Sequence, residues 1–264
     1  MDLLCPICAQ RLQLQEKTYC CQNRHCFDIA RQGYVNLLPV QNKRSLNPGD
    51  TTEQVLARRE FLSAGYYKPI LEALCQMAKP YNGPILDVGC GEGYYSAGLA
   101  QALHTQLVGL DISKEAVRRA AGMYKNALWL CGSAARLPIS EESVGILTSL
   151  FALTVPEEFH RVLKQDGIFF QVLAAPDHLL SLKSIIYPEL IHKEKDIVPQ
   201  LPGFRLLESQ PVRFTFTVEG QQVRNLLSMT PHVYRISKEG HTRLENTHSL
   251  TDTASCVINL FQKI

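Results

Sequence analysis

Leu86-Asp87-Val88-Gly89-Cys90-Gly91-Glu92-Gly93-Tyr94-Tyr95 is the stretch of this 264-residue chain that decides its fold. An apolar run, Pro84-Ile85-Leu86-Asp87-Val88, passes straight into alternate glycines and then into a helix-forming segment. A strand, a glycine turn and a helix N-terminus in that order form a ligand cradle. The glycines let the backbone come close to a ligand, and the free N–H groups of the helix face it.

The following strand narrows the choice of ligand. Gln106-Leu107-Val108-Gly109-Leu110 is apolar and ends in Asp111. An acidic residue roughly 20 positions beyond the glycines accepts hydrogen bonds from ribose hydroxyls. The dinucleotide fingerprint G-x-G-x-x-G needs glycine at position 94, where this chain has Tyr94. The glycines stand instead at 89, 91 and 93, behind Asp87. This D-x-G-C-G-E-G pattern resembles the first motif of S-adenosylmethionine (SAM)-dependent methyltransferases. Carboxylates at Asp87 and Glu92 suit a sulfonium with an α-amino group and repel a pyrophosphate.

Outward from the turn, strands are expected at about 84–88, 106–110, 127–131, 144–150 and 168–174, with helices at about 94–103, 114–124, 156–164 and 177–187. Arg213 to Val218 and Ala254 to Leu260 read as two final, antiparallel strands, with a helix from Glu219 to Met229 between them. This alternation predicts an α/β protein with a mostly parallel sheet covered on both faces. The resemblance of the glycine turn to the SAM-dependent methyltransferases implies their Rossmann-like class I methyltransferase fold, with a seven-stranded, mostly parallel sheet. Ligands in such sheets bind at the carboxyl ends of the strands. The loop at Cys131-Gly132-Ser133-Ala134 should therefore flank an adenine, and Ser149-Leu150-Phe151-Ala152 should line the reaction site. The Asn/Asp-Pro-Pro-aromatic tetrad that grips exocyclic amines is not in that last loop, which favours a ring nitrogen, an oxygen or a small molecule as acceptor.

The chain has 45% hydrophobic and 20% charged residues and a net charge of +2, so the total charge gives no strong polyanion signal. The N-terminus does not read as a signal peptide and no stretch reads as a membrane span. The expected compartment is the cytoplasm, where the nine cysteines should be reduced. Five of those nine fall in the first 26 residues. Cys5-Pro6-Ile7-Cys8 is a C-x-x-C knuckle, and Cys21 with His25 forms a second close pair, so four ligands can surround one structural zinc ion. Cys20 and Cys26 compete for the third and fourth positions. Adjacent strand residues face opposite ways, so Cys20 and Cys21 cannot both face the metal. Cys21 with His25 is the preferred reading and Cys26 the alternative fourth ligand. Arg11, Lys17, Arg24 and Arg31 surround the site and can meet phosphates or simply be solvated. Residues 1–40 read as a zinc-binding module for recognising a macromolecule, 41–60 as a polar linker containing Pro48-Gly49, and 61–264 as the methyltransferase domain.

These features together resemble one family, the bacterial 23S rRNA (guanine-N1-)-methyltransferases of the RlmA/RrmA type. The likeness runs from Cys5-x-x-Cys8, Cys21 and His25-x-Phe27-Asp28 through Gly33-Tyr34-Val35-Asn36-Leu37-Leu38-Pro39. It continues in Pro48-Gly49-Asp50, Ala57-Arg58-Arg59, the glycine turn and Met229-Thr230-Pro231. The resemblance implies zinc on Cys5, Cys8, Cys21 and His25, and makes residues 1–40 a zinc-binding RNA-recognition module. It implies SAM contacts at Tyr67, Gly91, Glu92, Ser96, Asp111 and His178, to which the motif itself adds Asp87 and Gly89. It further implies a homodimer acting on N1 of a guanine in a hairpin loop of 23S rRNA, at position 745 more than 748. A methyltransferase for a small molecule and a non-catalytic RNA-binding protein on the same scaffold are the competing readings. Guanine N1 must lose a proton on methylation. Asp177, His178 and Glu158 are the candidates near the expected pocket, and the sequence assigns the role to none of them.

Overall fold

The computed structural model describes residues 1–39, 48–190 and 196–264. The chain begins with a small antiparallel sheet of β1 (Gln13–Gln15), β2 (Thr18–Cys20) and β3 (Cys26–Asp28). β4 (Tyr34–Asn36), α1 (Thr52–Ser63) and α2 (Lys68–Ala78) follow. Then come β5 (Ile85–Val88), α3 (Tyr94–Leu103), β6 (Leu107–Asp111), α4 (Lys114–Met123), β7 (Leu128–Cys131), β8 (Val144–Leu150), α5 (Pro156–Val162) and β9 (Leu163–Ala174). The last third holds α6 (Leu180–Ile186), β10 (Phe204–Glu219), α7 (Gln221–Ser228), α8 (Lys238–Glu245) and β11 (Ser249–Lys263).

Among the described residues the main sheet has eight strands, in the order β10-β11-β9-β8-β5-β6-β7-β4. The strands from β9 to β4 run parallel, and β11 and β10 add antiparallel at the other end. The class I methyltransferase fold is as expected, with one strand beyond the expected seven. That strand is β4, whose Tyr34, Val35 and Asn36 lie opposite Trp129, Leu130 and Cys131 of β7. Val35 is fully buried, so pairing removes an apolar side chain and an unpaired sheet edge from water together.

Strand order reverses between β5 and β8, which places a crevice at their carboxyl ends. Alternation along β5 sends Leu86 and Val88 to one face of the sheet and Ile85 to the other. Leu86 and Val88 share their core with Leu3, Cys5, Leu12 and Cys21, so the N-terminal segment packs directly on the sheet.

Of the expected 41–60 linker, residues 41–47 lie outside the described residues, and the part from Thr52 onward is helical. Thr51 caps α1 through a capping box with Gln54, which starts the helix there. Among the described residues no helix is long and apolar enough to cross a membrane.

Candidate active site and metal centre

Sγ of Cys5, Cys8 and Cys21 and a ring nitrogen of His25 lie within 4.8 Å of one another. Zn–S and Zn–N bonds of ~2.3 and ~2.05 Å at tetrahedral angles require S···S of about 3.8 Å and S···N of about 3.5 Å. The structure has Cys8 and Cys21 Sγ 3.7 Å apart, with His25 Nδ1 3.5 Å from both Cys5 and Cys21 Sγ. The donor set therefore fits one structural zinc, with all four positions filled by protein. A backbone hydrogen bond from Gln10 is the main cause that brings the Cys8 thiol down to about 6, toward the thiolate that binds metal.

Cys20 and Cys26 are not in this cluster. They face each other in register across β2 and β3, with Cα atoms 4.2 Å apart, and their sulfurs are joined as a disulfide. This corrects the expectation that all nine cysteines are reduced, and it rules out Cys26 as the fourth ligand in this geometry. The cause is strand alternation: it turns Cys20 away from the metal that Cys21 faces, and toward its cross-strand neighbour.

A cleft of about 2010 Å³ opens at the carboxyl ends of β5, β6, β7 and β8. The glycine turn forms its floor. Gly89 has φ +81°, and a Cβ there would stand 2.4 Å from Ala152 Cβ, so the turn is pressed against the end of β8. Gly91 has φ +56°, and a Cβ there would meet nothing nearer than Arg58 Nη1 at 3.9 Å. The space in front of Gly91 is thus open to a ligand.

Asp111 closes one side of the floor. Its Oδ2 accepts from Gly91 N–H and its Oδ1 from Ser113 N–H, both at 2.8 Å. Each oxygen keeps a second lone pair for a ligand. Burial raises the Asp111 carboxyl above its ordinary value, and it does the same for Glu92, which also lines the cleft.

Asp87 reaches the cleft but spends its oxygens inside the fold. It accepts from Ser96 Oγ, and from Thr148 Oγ1 at 2.7 Å. Burial still pushes its carboxyl up to about 6. Ser96 stands behind Asp87 and is not on the cleft wall. The structure thus brings Tyr67, Asp87, Gly89, Gly91, Glu92, Asp111 and His178 to the cleft and sets Ser96 apart from them.

On the opposite wall, Ser255 N–H donates to His178 Nδ1 at 3.1 Å. A backbone N–H can only donate, so the ring proton sits on Nε2, which faces Tyr67 Oη at 3.3 Å. Tyr67 is itself buried among Phe61, Phe214 and Phe216. Asp177 pairs with Arg213 at 3.0 Å, and Glu158 is bound by Arg161 and by Leu137 N–H; neither lines the cleft.

Sequence reasoning missed Tyr95. Its Oη is buried in the cleft wall and is, among the described residues, a buried side-chain polar atom without a hydrogen-bond partner. Its signal was its place directly after the glycine turn. Arg58 was also missed as a cleft residue. It bonds Asp50 and, at 3.2 Å, the Met229 carbonyl, so it ties α1 to the Met229-Thr230-Pro231 segment across the cleft.

A glycine turn with open space before it, a carboxylate with free lone pairs at the end of β6, and an unsatisfied buried hydroxyl fit SAM. Fold and site together define a SAM-dependent methyltransferase with an N-terminal zinc ribbon. Residues 3–46 match a family model described as RlmA, N-terminal, and residues 85–167 match a methyltransferase domain model. A candidate 23S rRNA (guanine-N1-)-methyltransferase of Micromonospora griseorubida is 37% identical over 68% of this chain and 68% of its own. The 23S rRNA (guanine(748)-N1)-methyltransferase of Streptomyces fradiae is 32% identical over 87% of this chain and 84% of its own. A solved structure from echinomycin biosynthesis, described as the conversion of a disulfide bond into a thioacetal group, covers 74% of this chain and 81% of its own. It matches with a TM-score of 0.50 at 14% identity, a likeness of fold alone. The chain belongs to the 23S rRNA (guanine-N1-)-methyltransferase family.

Proposed function

We propose that this protein methylates N1 of a guanine in a hairpin loop of 23S rRNA, at position 745. Position 748 is the second reading, favoured by the Streptomyces fradiae relative. The observation that carries the proposal is the pairing of a complete zinc cluster with an open SAM cleft in one chain. The knuckle residue Pro6 lines that cleft, so the zinc segment forms part of its wall. Residues 1–40 act as the RNA-recognition module, and Arg24 and Lys17 offer exposed cations for phosphates.

Tyr67, Gly89, Gly91, Glu92, Asp111 and His178 contact SAM in this reading, with Asp87 supporting the turn from below. When bound, SAM would supply an activated methyl group. Asp111, whose oxygens each keep a free lone pair, would hold the ribose, and the acidic wall would favour the cofactor's positive charge. A loop base is already partly unstacked, so extruding it into the cleft costs little. The protein works as a homodimer in the cytoplasm.

The test is transfer of tritium from labelled SAM to 23S rRNA isolated from a strain lacking the enzyme. Reverse-transcription stops then locate the base, because a methyl on N1 blocks pairing. Label in a metabolite extract with none in rRNA would turn the assignment toward a small-molecule substrate. Sedimentation tests the dimer.

A further inference from the structure

Phe151 immediately follows β8 and lines the cleft. Its φ is +54°, a left-handed conformation that bulky residues rarely adopt. Such a conformation persists only where its surroundings impose it, and it concentrates at functional sites. Two contacts impose it here. Phe151 N–H donates to the Val172 carbonyl at 2.9 Å, and the next residue, Ala152, is wedged against Gly89.

The result is an aromatic ring turned away from the core. Phe151 is 42% exposed, although the residues just before it in β8 are buried. Its ring stacks on His178, with centroids 6.2 Å apart and planes 29° apart. His178 cannot easily swing, since Ser255 N–H holds one ring nitrogen and Tyr67 Oη faces the other. A propped, flat, half-exposed ring thus stands over the reaction end of the cleft, one residue from the contact with the glycine turn. Phe and His offer neither a charge pattern nor a fork of donors to select among bases at this point. They offer a flat apolar surface, and every base has a face that can lie on it.

We infer that Phe151, propped by His178, is the stacking platform on which the extruded guanine lies during methyl transfer. This rests on the rRNA reading above and names the residue that holds the base in that site. Stacking fixes the plane of the base in the cleft and leaves the in-plane orientation of N1 and recognition of the guanine edge to other groups.

The experiment compares Phe151→Ala, Phe151→Gly and Phe151→Trp in steady-state methylation of unmethylated 23S rRNA, with SAM binding by calorimetry and thermal melting alongside. Loss of base stacking should lower kcat/KM for RNA about 5- to 150-fold in the Ala and Gly variants. SAM affinity should stay unchanged, and Trp should keep most of the activity. Glycine suits the left-handed backbone, so Phe151→Gly should melt above Phe151→Ala while being equally poor toward RNA. Activity that instead tracks melting temperature, with Gly better than Ala, would overturn the platform in favour of a structural role. Wild-type protein that labels rRNA alongside an unimpaired Phe151→Ala would also overturn it and leave the rRNA reading standing. Wild-type protein that leaves rRNA unlabelled overturns both.

Discussion

Asp111→Asn separates what this residue does for the fold from what it does for the cofactor. In the structure each carboxylate oxygen holds one backbone N–H at 2.8 Å, from Gly91 and from Ser113. An asparagine keeps one acceptor oxygen and places an amino group where the other stood. One backbone donor is then unpaired, which costs about 1–3 kcal/mol of stability. For a chain of this size that is a fall of about 2–4 °C in melting temperature for each kcal/mol. On the cofactor side, one charge-assisted ribose hydrogen bond is lost, worth about 1.5–3 kcal/mol, or roughly a 10- to 150-fold rise in the SAM dissociation constant. Titration calorimetry on the folded variant, checked by circular dichroism, reads the second effect. Ser113→Ala is the control. It removes the cap of α4 and the bond from Ser113 Oγ to the Asp50 carbonyl, but leaves Asp111 intact. It should therefore lose stability and keep SAM affinity. If Asp111→Asn binds SAM as tightly as wild type, Asp111 is not a ribose ligand and the reading of the cleft is wrong.

Three further outcomes are expected. Cys8→Ser should lose the metal, found at about one zinc per chain in the wild type by elemental analysis, whereas Cys20→Ser should retain it; zinc loss in Cys20→Ser but not in Cys21→Ser would reverse the ligand choice. Burial lifts Asp87 from the ordinary 3.8 to about 6, so the folded protein holds this proton more tightly than the unfolded chain. Its contribution to stability is full below pH ~4 and falls by on the order of 3 kcal/mol as pH rises through ~6. Urea midpoints for Asp87→Asn should lack that part of the slope, and slopes parallel to wild type would refute it. Gly89→Ala should destabilise by about 2–5 kcal/mol, the sum of a left-handed alanine and overpacking against Ala152; an unchanged melting temperature would show that the turn relaxes freely.

Elements with a local pattern were legible before the structure. The β5–turn–α3 unit, β6 with Asp111 and the knuckle cysteines each lie within a short window whose periodicity or spacing states its role. What depended on distant partners was not. β4 has three residues and becomes a strand only because β7 lies beside it. The pattern places the start of β10 near Arg213, but the strand starts at Phe204 and runs through Pro211. The proline is tolerated there since β10 is the outermost strand, where a missing N–H costs no ladder bond. The mostly polar α8 has little apolar stripe to announce it, although Ser237 caps it. In the site, the glycine motif marked Asp87 and the family resemblance marked Ser96 as near the cofactor. Only three-dimensional packing shows that they bond each other and Thr148. The Cys20–Cys26 pair likewise depended on the register of β2 with β3.

The β4–β7 ladder joins the metal-binding segment to the main sheet, and Leu4 N–H adds a bond to the Pro138 carbonyl. Cys5 and Cys21 sit in the same core as Leu86 and Val88, directly under the glycine turn. Metal occupancy is consequently linked to the folding equilibrium of a domain that supplies no ligand to it. Zinc that binds only the native state stabilises the whole cooperative unit by RT ln(1 + [Zn]/Kd). Chelation should therefore lower one shared unfolding transition instead of releasing the front forty residues as a separate melt.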